Sequence, residues 1–283
     1  MNLQELHNSI SNRLKAAGIP EARLESQLLL RQAFSFTKSD FYSSLYDEKF
    51  DQSVLANLEF TVKERLNRKP LAYILGAVEF FGRQFSVNPS VLIPRQETEV
   101  LVDHCVELLN SSATKSPLVV DVGTGSGIIA VTLAAEIPGL RVIAIDRSTK
   151  ASVMALKNST MLGTKDTVNC VTGDLLTPFQ CQFTLIAANL PYIPTANIQT
   201  LQPEISLHEP DLALDGGTDG FNIIERLLDQ SQSRLLRGGH IVLEIDPTLS
   251  SPVLHLCQKY FPGCQATLLN DLNGDTRVVS IQI

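Results

Sequence analysis

The stretch "LVVDVGTGSGIIA", residues 118–130, decides the architecture. A short β-branched run breaks into glycines at 123, 125 and 127, and an apolar helix-forming run follows at once. The run is strand-like, and the glycine loop and helix that follow it set the first strand–loop–helix step. Glycine lets the backbone turn tightly and approach a ligand with no Cβ in the way. Downstream the same alternation repeats. "RVIAID" (141–146) precedes a helical stretch at about 149–161, then come "TVNCV", "FTLIAAN", a helix at about 219–236, "HIVLEI", a further helix and strand-like runs at the C-terminus. Strands alternating with helices predict a mostly parallel sheet covered on both faces, of Rossmann-like α/β class. Such sheets bind ligands at the carboxyl ends of their strands, beside a switch point.

Upstream the pattern is helical. Leu3, Leu6, Ile10 and Leu14 recur at three- and four-residue steps, the stripe of an amphipathic helix. Gly18 ends it, and Pro20 suits the first turn of the next helix, which carries Leu24, Leu28 and Leu29. Val54, Leu55, Leu58, Val62 and Leu66 mark another helix. In "GAVEFFGRQFSVNPSVLI" (76–93), Gly82 and "NPS" punctuate short β-prone runs, which predicts a hairpin connector. The expected organisation is a helical bundle over 1–75, a β-hairpin over 76–93 and a catalytic domain over 94–283.

The chain has 283 residues, 44% hydrophobic and 19% charged, as in ordinary globular proteins. No apolar run approaches the roughly 20 residues that span a bilayer, and the start lacks the features of a secretory signal, so a cytoplasmic protein with no membrane partner is expected. Five cysteines, an odd number without a C-x-x-C pair, argue against a disulfide framework or zinc site. The five histidines show no metal-ligand spacing, and no metal is expected. Net charge is -7; residues 1–75 hold 10 Lys+Arg against 9 Asp+Glu, the remainder 13 against 21. An acidic catalytic part argues against a broad grip on nucleic acid.

The dinucleotide fingerprint G-x-G-x-x-G is not met, because position 128 is Ile. A tight G-x-G-x-G loop over Gly123, Thr124, Gly125, Ser126 and Gly127 suits a ligand without a pyrophosphate, such as S-adenosylmethionine. Asp146, at the end of the second strand, can accept hydrogen bonds from both ribose hydroxyls. In "GDLL" (173–176), Asp174 is placed to receive the adenine amino group and Leu175 to lie against the ring. A structural strand–helix turn would explain the glycine loop alone; loop, acid and Gly-Asp in order behind three strands point to an adenosyl group.

"AANLPYIP" (187–194) ends the fourth strand in polar Asn189. It reads either as a strand cap before a proline turn or as a site for a planar NH2 group. Such a nitrogen is a poor nucleophile because its lone pair is delocalised. Two acceptors on its hydrogens, the Asn189 side-chain oxygen and the carbonyl of residue 190, would aim the lone pair at a methyl donor. Tyr192 can stack on the planar group, and Pro191 holds Leu190 extended. No general base is required.

At this point the chain resembles a known family. "RKPLAYILG" (68–76), "VLIPRQETEVLV" (91–102), "DVGTGSGIIA", "NLPY", "HEPDLALDGGTDG" (208–220) and "GGHIVLEI" (238–245) are similar, in order and almost end to end, to the protein-(glutamine-N5) methyltransferases of peptide chain release factors, the HemK/PrmC type. The resemblance implies a helical N-terminal domain that docks the release factor, a connecting β-hairpin, and a seven-stranded class I methyltransferase domain that turns S-adenosyl-L-methionine into S-adenosyl-L-homocysteine. It implies that Gly123 through Gly127, Asp146, Leu175 and Asn189 contact the cofactor, and that Asn189, Leu190, Pro191 and Tyr192 form the catalytic amide site. It places Pro94, Arg95 and Thr98 beside the pocket, although Arg95 pairing with Glu97 or Glu99 stays open. Glu209 and Pro210 are expected to shape the rim. The partner it implies is a class I release factor, bound by a monomer that holds no nucleic acid stably.

Two departures stand out. The family usually has N-P-P-Y where this chain has N-L-P-Y; Leu190 keeps the carbonyl, so only local rigidity is expected to change. "LEIDPT" carries Asp246 where the family tends to have glycine. One rival is an adenine-N6 nucleic-acid methyltransferase, since the same amide logic orients a ring amine, but such an enzyme must flip its base and hold a backbone with Lys and Arg. Another is an inactive adenosyl-binding module, which would predict a degraded amide site.

Overall fold

The computed structural model describes residues 2–47 and 49–283. They form two compact units: the chain up to Gly76 together with Gln202–His208, and Ala77–Leu201 together with Glu209–Ile283.

The first unit is helical: α1 (Leu3–Ala16), α2 (Ala22–Phe34), α3 (Lys38–Ser43), α4 (Gln52–Leu66) and α5 (Leu71–Leu75). A capping box starts α1, with Asn2 and Glu5 exchanging side-chain-to-backbone hydrogen bonds of 2.8 and 3.1 Å. Leu3, Ile10 and Leu14 meet Leu29 and Leu30 of α2, Phe41 of α3, and Leu58 and Val62 of α4 in one core. Pro20 stands outside the first turn of α2, whose N-cap is Glu21, and Leu24 is 50% exposed. The face of α2 turned to the core carries Ala22 and Ser26 besides its leucines. Ser26 and His7 are buried and share a hydrogen bond of 2.9 Å. α3 and α5 have six and five residues, too few turns to leave a readable period.

The second unit opens with β1 (Ala77–Phe80) and β2 (Arg83–Ser86). Phe81 and Gly82 join them, both at positive φ, as a two-residue hairpin requires. Phe80 and Phe85 turn inward against α6 (Thr98–Ser111) and the sheet. Then follow β3 (Leu118–Val122), α7 (Ile128–Glu136), β4 (Arg141–Asp146), α8 (Thr149–Met161), β5 (Val168–Thr172) and β6 (Phe183–Ala188). After β6 the chain contributes α9 (Pro203–Ser206) to the first unit. Glu204 is fixed there by Arg65 at 2.9 Å and Arg68 at 2.7 Å, while Arg65, 4% exposed, also holds Glu25 at 2.5 Å. The segment predicted to lie inside the catalytic domain thus belongs to the helical unit, because a buried guanidinium needs its carboxylates.

The second unit continues with α10 (Asn222–Ser231), β7 (Leu235–Glu244), α11 (Ser250–Tyr260), β8 (Gln265–Asn270) and β9 (Thr276–Gln282). α10 is shorter than its predicted range because β7 already begins at Leu235. The sheet has seven strands in the order β5-β4-β3-β6-β7-β9-β8, parallel from β5 to β7, with β9 antiparallel to both its neighbours. β6 is buried throughout, and so is α7 from Ile128 to Ala134. The chain leaves β3 toward β4 and β6 toward β7, on opposite sides. β3 and β6 pair directly, so their carboxyl ends form the switch point.

Candidate active site

A cavity opens at this switch point, lined wholly by the second unit. Gly123–Ser126 after β3, Asp146 on β4, Gly173–Leu175 after β5 and Asn189–Pro191 after β6 enclose it, with Pro94, Arg95 and Thr98 ahead of α6 and Ile223 and Arg226 on α10.

The loop after β3 is built by its glycines and by Asp121. Gly123, Gly125 and Gly127 all have positive φ. A Cβ on Gly123 would lie 2.9 Å from Leu190 Cδ2, whereas one on Gly125 would meet nothing closer than 3.9 Å, leaving open space above the loop. Gly127 is outside the cavity lining. It starts α7, where a Cβ would come within 3.1 Å of the Ala155 backbone, so its glycine serves helix packing. Asp121 is buried and accepts from Thr124 Oγ1 at 2.5 Å and from Ala130 N at 3.1 Å; its Oδ1 has no partner. Burial pushes its pKa up to about 7, against the pull of those two donors.

Asp146 accepts from the backbone N–H of Gly125 at 2.9 Å and of Ser148 at 2.8 Å, with burial raising its pKa. Its carboxylate therefore ties the β4 end to the glycine loop and keeps lone pairs for a ligand. Asp174 is engaged by Arg226 of α10, a pairing not legible in the sequence because 52 residues separate the two. Leu175 lines the cavity at φ 51, a left-handed conformation that costs a leucine about 1–3 kcal/mol. The Gln230 side chain steadies the turn through Leu176 N at 2.8 Å.

Asn189 donates from Nδ2 to Thr98 Oγ1 at 3.2 Å. Leu190 is 4% exposed and belongs to the core beneath the loop, so more than its carbonyl is in use. Pro191 lines the cavity; the Tyr192 ring packs against the core and is not among the lining residues. Burial and the Glu244 charge raise the pKa of its phenol. The "LDGGTDG" segment (214–220) clamps this motif: Ile193 N reaches Leu214 O at 3.1 Å, and Gly216 N reaches Ile193 O at 2.9 Å. A Cβ on Gly216 would lie 2.8 Å from Pro191 O, and one on Gly220 2.5 Å from Tyr192 O, which explains the glycines.

Arg95 pairs with Glu209 at 2.5 Å, not with Glu97 or Glu99. Glu209 is buried and also accepts from Ile93 N at 3.3 Å, while Glu99 holds Phe81 N at 2.8 Å. Glu209 thus fastens the connector to the pocket rim, which Pro210 lines. Sequence reading did not single out Arg226, or Glu244 buried at the end of β7. The one available signal was an acid ending an apolar strand, as Asn189 ends its own.

Residues 5–76 match the family described as PrmC N-terminal domain, and residues 97–204 match the methyltransferase small domain. The chain is 36% identical to the release factor glutamine methyltransferase of Geobacter sulfurreducens, over 95% of this chain and 93% of that one. It is 37% identical to that of Moorella thermoacetica (98% and 97%) and 30% identical to that of Staphylococcus aureus (100% and 99%). The chain belongs to the release factor glutamine methyltransferase family. Solved structures share the fold. A 16S rRNA N2 G1207 methyltransferase of T. thermophilus, in complex with AdoMet and guanosine, superposes with TM-score 0.53 at 16% identity, over 73% of this chain and 49% of that one. The ribosomal protein L11 methylase of Lactobacillus delbrueckii subsp. bulgaricus gives 0.50 at 21%, over 69% and 82%.

As a member of this family the chain uses S-adenosyl-L-methionine, and its cavity fits that cofactor. Carboxylates end β4 and begin the turn after β5, apolar Leu175 and Ile223 line the same cavity, and at Gly125 the loop leaves open space that a side chain would enter. Among the described residues, no helix is long and apolar enough to cross a membrane.

Proposed function

We propose that the chain methylates the side-chain amide nitrogen of the glutamine in the GGQ motif of class I release factors. One observation carries the reading: Asn189–Pro191 and Gly123–Ser126 line the same cavity, in a chain whose relatives are named for this reaction along nearly their whole length. When bound, S-adenosylmethionine supplies an electrophilic methyl group on a sulfonium. Gly123–Ser126 hold its methionine end, Asp146 the ribose hydroxyls, and Leu175 and Asp174 the adenine, with Arg226 sharing the Asp174 carboxylate. Pro94, Arg95 and Thr98 close the cavity beside Asn189. The Asn189 Oδ1 and the Leu190 carbonyl accept both hydrogens of the glutamine amide and orient its lone pair. Tyr192 supports the turn that presents them. The amide nitrogen sheds its extra proton to water after transfer, so no residue has to act as base. The helical unit docks the release factor, and the enzyme works as a cytoplasmic monomer.

The test is direct. Purified protein, S-adenosylmethionine and a class I release factor should add one methyl group to the GGQ-containing peptide, read by mass spectrometry. Methyl transfer to nucleic-acid adenine alone would refute the assignment. Asn189→Ala should abolish transfer while cofactor still binds.

A further inference from the structure

Glu244 is the buried acid that the proposed chemistry leaves unused. It ends β7, whose Leu243 pairs with Ala188 of β6, so Glu244 and Asn189 are neighbours at the carboxyl edge of the sheet. The residue is 3% exposed, its Oε2 has no hydrogen-bond partner, and among the described residues it forms no salt bridge; Arg277 on β9 is paired with Asp271 at 2.9 Å. The groups that face the carboxylate are the Thr98 hydroxyl, the Glu97 and Arg277 charges, the Asn189 amide and the Tyr192 phenol, which stays neutral. Burying a carboxylate without a cation is unfavourable for folding, so a reason for it should lie in those neighbours.

The neighbours form a chain with a direction. A carboxamide has a donor end and an acceptor end of nearly the same shape. The amide site works only with the Asn189 oxygen toward the cavity, because the substrate nitrogen brings donors. Thr98 touches the other end, 3.2 Å from Nδ2, yet a hydroxyl both donates and accepts and would tolerate either orientation. An ionised carboxylate only accepts. A carboxylate that faces both the Thr98 hydroxyl and the Asn189 amide draws their hydrogens toward itself: the hydroxyl's lone pair is left for Asn189, and the Asn189 NH2 must point inward.

We propose that Glu244 is a positioning residue that sets the direction of the hydrogen-bond chain Asn189 to Thr98 to Glu244, and so keeps the Asn189 oxygen facing the substrate amide. This rests on the reading of Asn189 as the amide acceptor. It adds a pH dependence, because burial and the Glu97 charge push Glu244 up to about 7 against Thr98, Arg277 and Asn189. Protonated Glu244 becomes a donor as well, the chain loses its direction, and kcat falls as pH drops through that value.

The experiment compares Glu244→Leu, Glu244→Gln and Asn189→Ala in release-factor methylation by the full chain. Glu244→Leu should lower kcat on the order of 10- to 100-fold, the scale of a misplaced catalytic group. Its KM for S-adenosylmethionine and its melting midpoint should match or improve on wild type, since an apolar isostere suits the buried site. Glu244→Gln should lose the acid limb near pH 7. Wild-type kcat in Glu244→Leu, with Asn189→Ala inactive, would overturn the role of Glu244 alone. Full activity in Asn189→Ala would overturn the amide-site reading beneath it. A loss in Glu244→Leu that came with a lowered midpoint and raised KM would make Glu244 merely structural, as would an acid limb that persists in Glu244→Gln.

Discussion

The contact between Leu190 and Gly123 makes a quantitative prediction about the residue that departs from the family pattern. Leu190 is buried, and its Cδ2 sits 2.9 Å from where a Cβ on Gly123 would stand. Leu190→Ala removes three carbons, about 2.4 kcal/mol of transfer free energy at about 0.8 per methylene. The new space opens onto the cavity, so the additional cavity penalty is small and the total should stay near 2–3 kcal/mol, the low end for buried leucines. Gly123→Ala has two separable costs. At φ 75 an alanine loses about 1–2 kcal/mol to its backbone whatever the space around it. Forcing Leu190 aside costs about 1–3 kcal/mol more, as overpacking does. In a Leu190→Ala background the second cost should vanish and the first remain. Urea denaturation of wild type, both single variants and the double variant closes the cycle, with an expected coupling of about 1–3 kcal/mol that favours the double variant. Calorimetric titration with S-adenosylmethionine should follow the same pattern, because the loop that binds it is the loop Leu190 supports. Additivity within about 0.3–0.5 kcal/mol would refute the contact.

Three other outcomes follow from the geometry. Arg65→Ala removes the cation shared by Glu25 and Glu204, leaving Glu204 only Arg68, and should destabilise the helical unit by about 3 kcal/mol, the low end for a broken buried pair because Glu204 keeps a partner and the carboxylates some exposure; proteolysis of that unit would report it, and wild-type resistance would contradict it. Asp121 and Glu244 both titrate near 7 when folded and near 4 when unfolded, so the folded chain holds more protons across that window and stability falls as pH rises from about 4 to 7. Asp121→Asn should flatten that slope in urea midpoints taken across the range; an unaltered slope would contradict it. Arg95→Ala leaves Glu209 buried with only the Ile93 N–H, and should loosen the connector by about 1–3 kcal/mol, read as faster hydrogen exchange at residues 91–95.

Local chemistry was legible where neighbours in sequence act together. The apolar runs of β3 and β6, the three left-handed glycines, and Asn189 at a strand end follow from alternation, φ and polarity within a few residues. The strand–helix alternation, with the rule that such sheets bind at the carboxyl ends of their strands, pointed to the end of the sheet where the cavity lies. What the chain could not announce are pairings across long separations. Arg95 has acids two and four residues away, yet the fold brings Glu209, 114 residues on, within 2.5 Å. Glu204 leaves its sequence neighbours to join Arg65 and Arg68 in the helical unit, and Asp174 finds Arg226 on α10. Gly127 shows how the two levels divide: sequence marked it as a loop glycine, and only the packing of α7 on α8 says that it faces Ala155 and not the ligand. An ion pair or a packed side chain depends on which surfaces meet, and the composition of a ten-residue window carries no record of that. The residues determined the sheet, the loop and the amide; their meeting in one cavity, with Leu190 beneath and Glu244 behind, was decided by the tertiary structure.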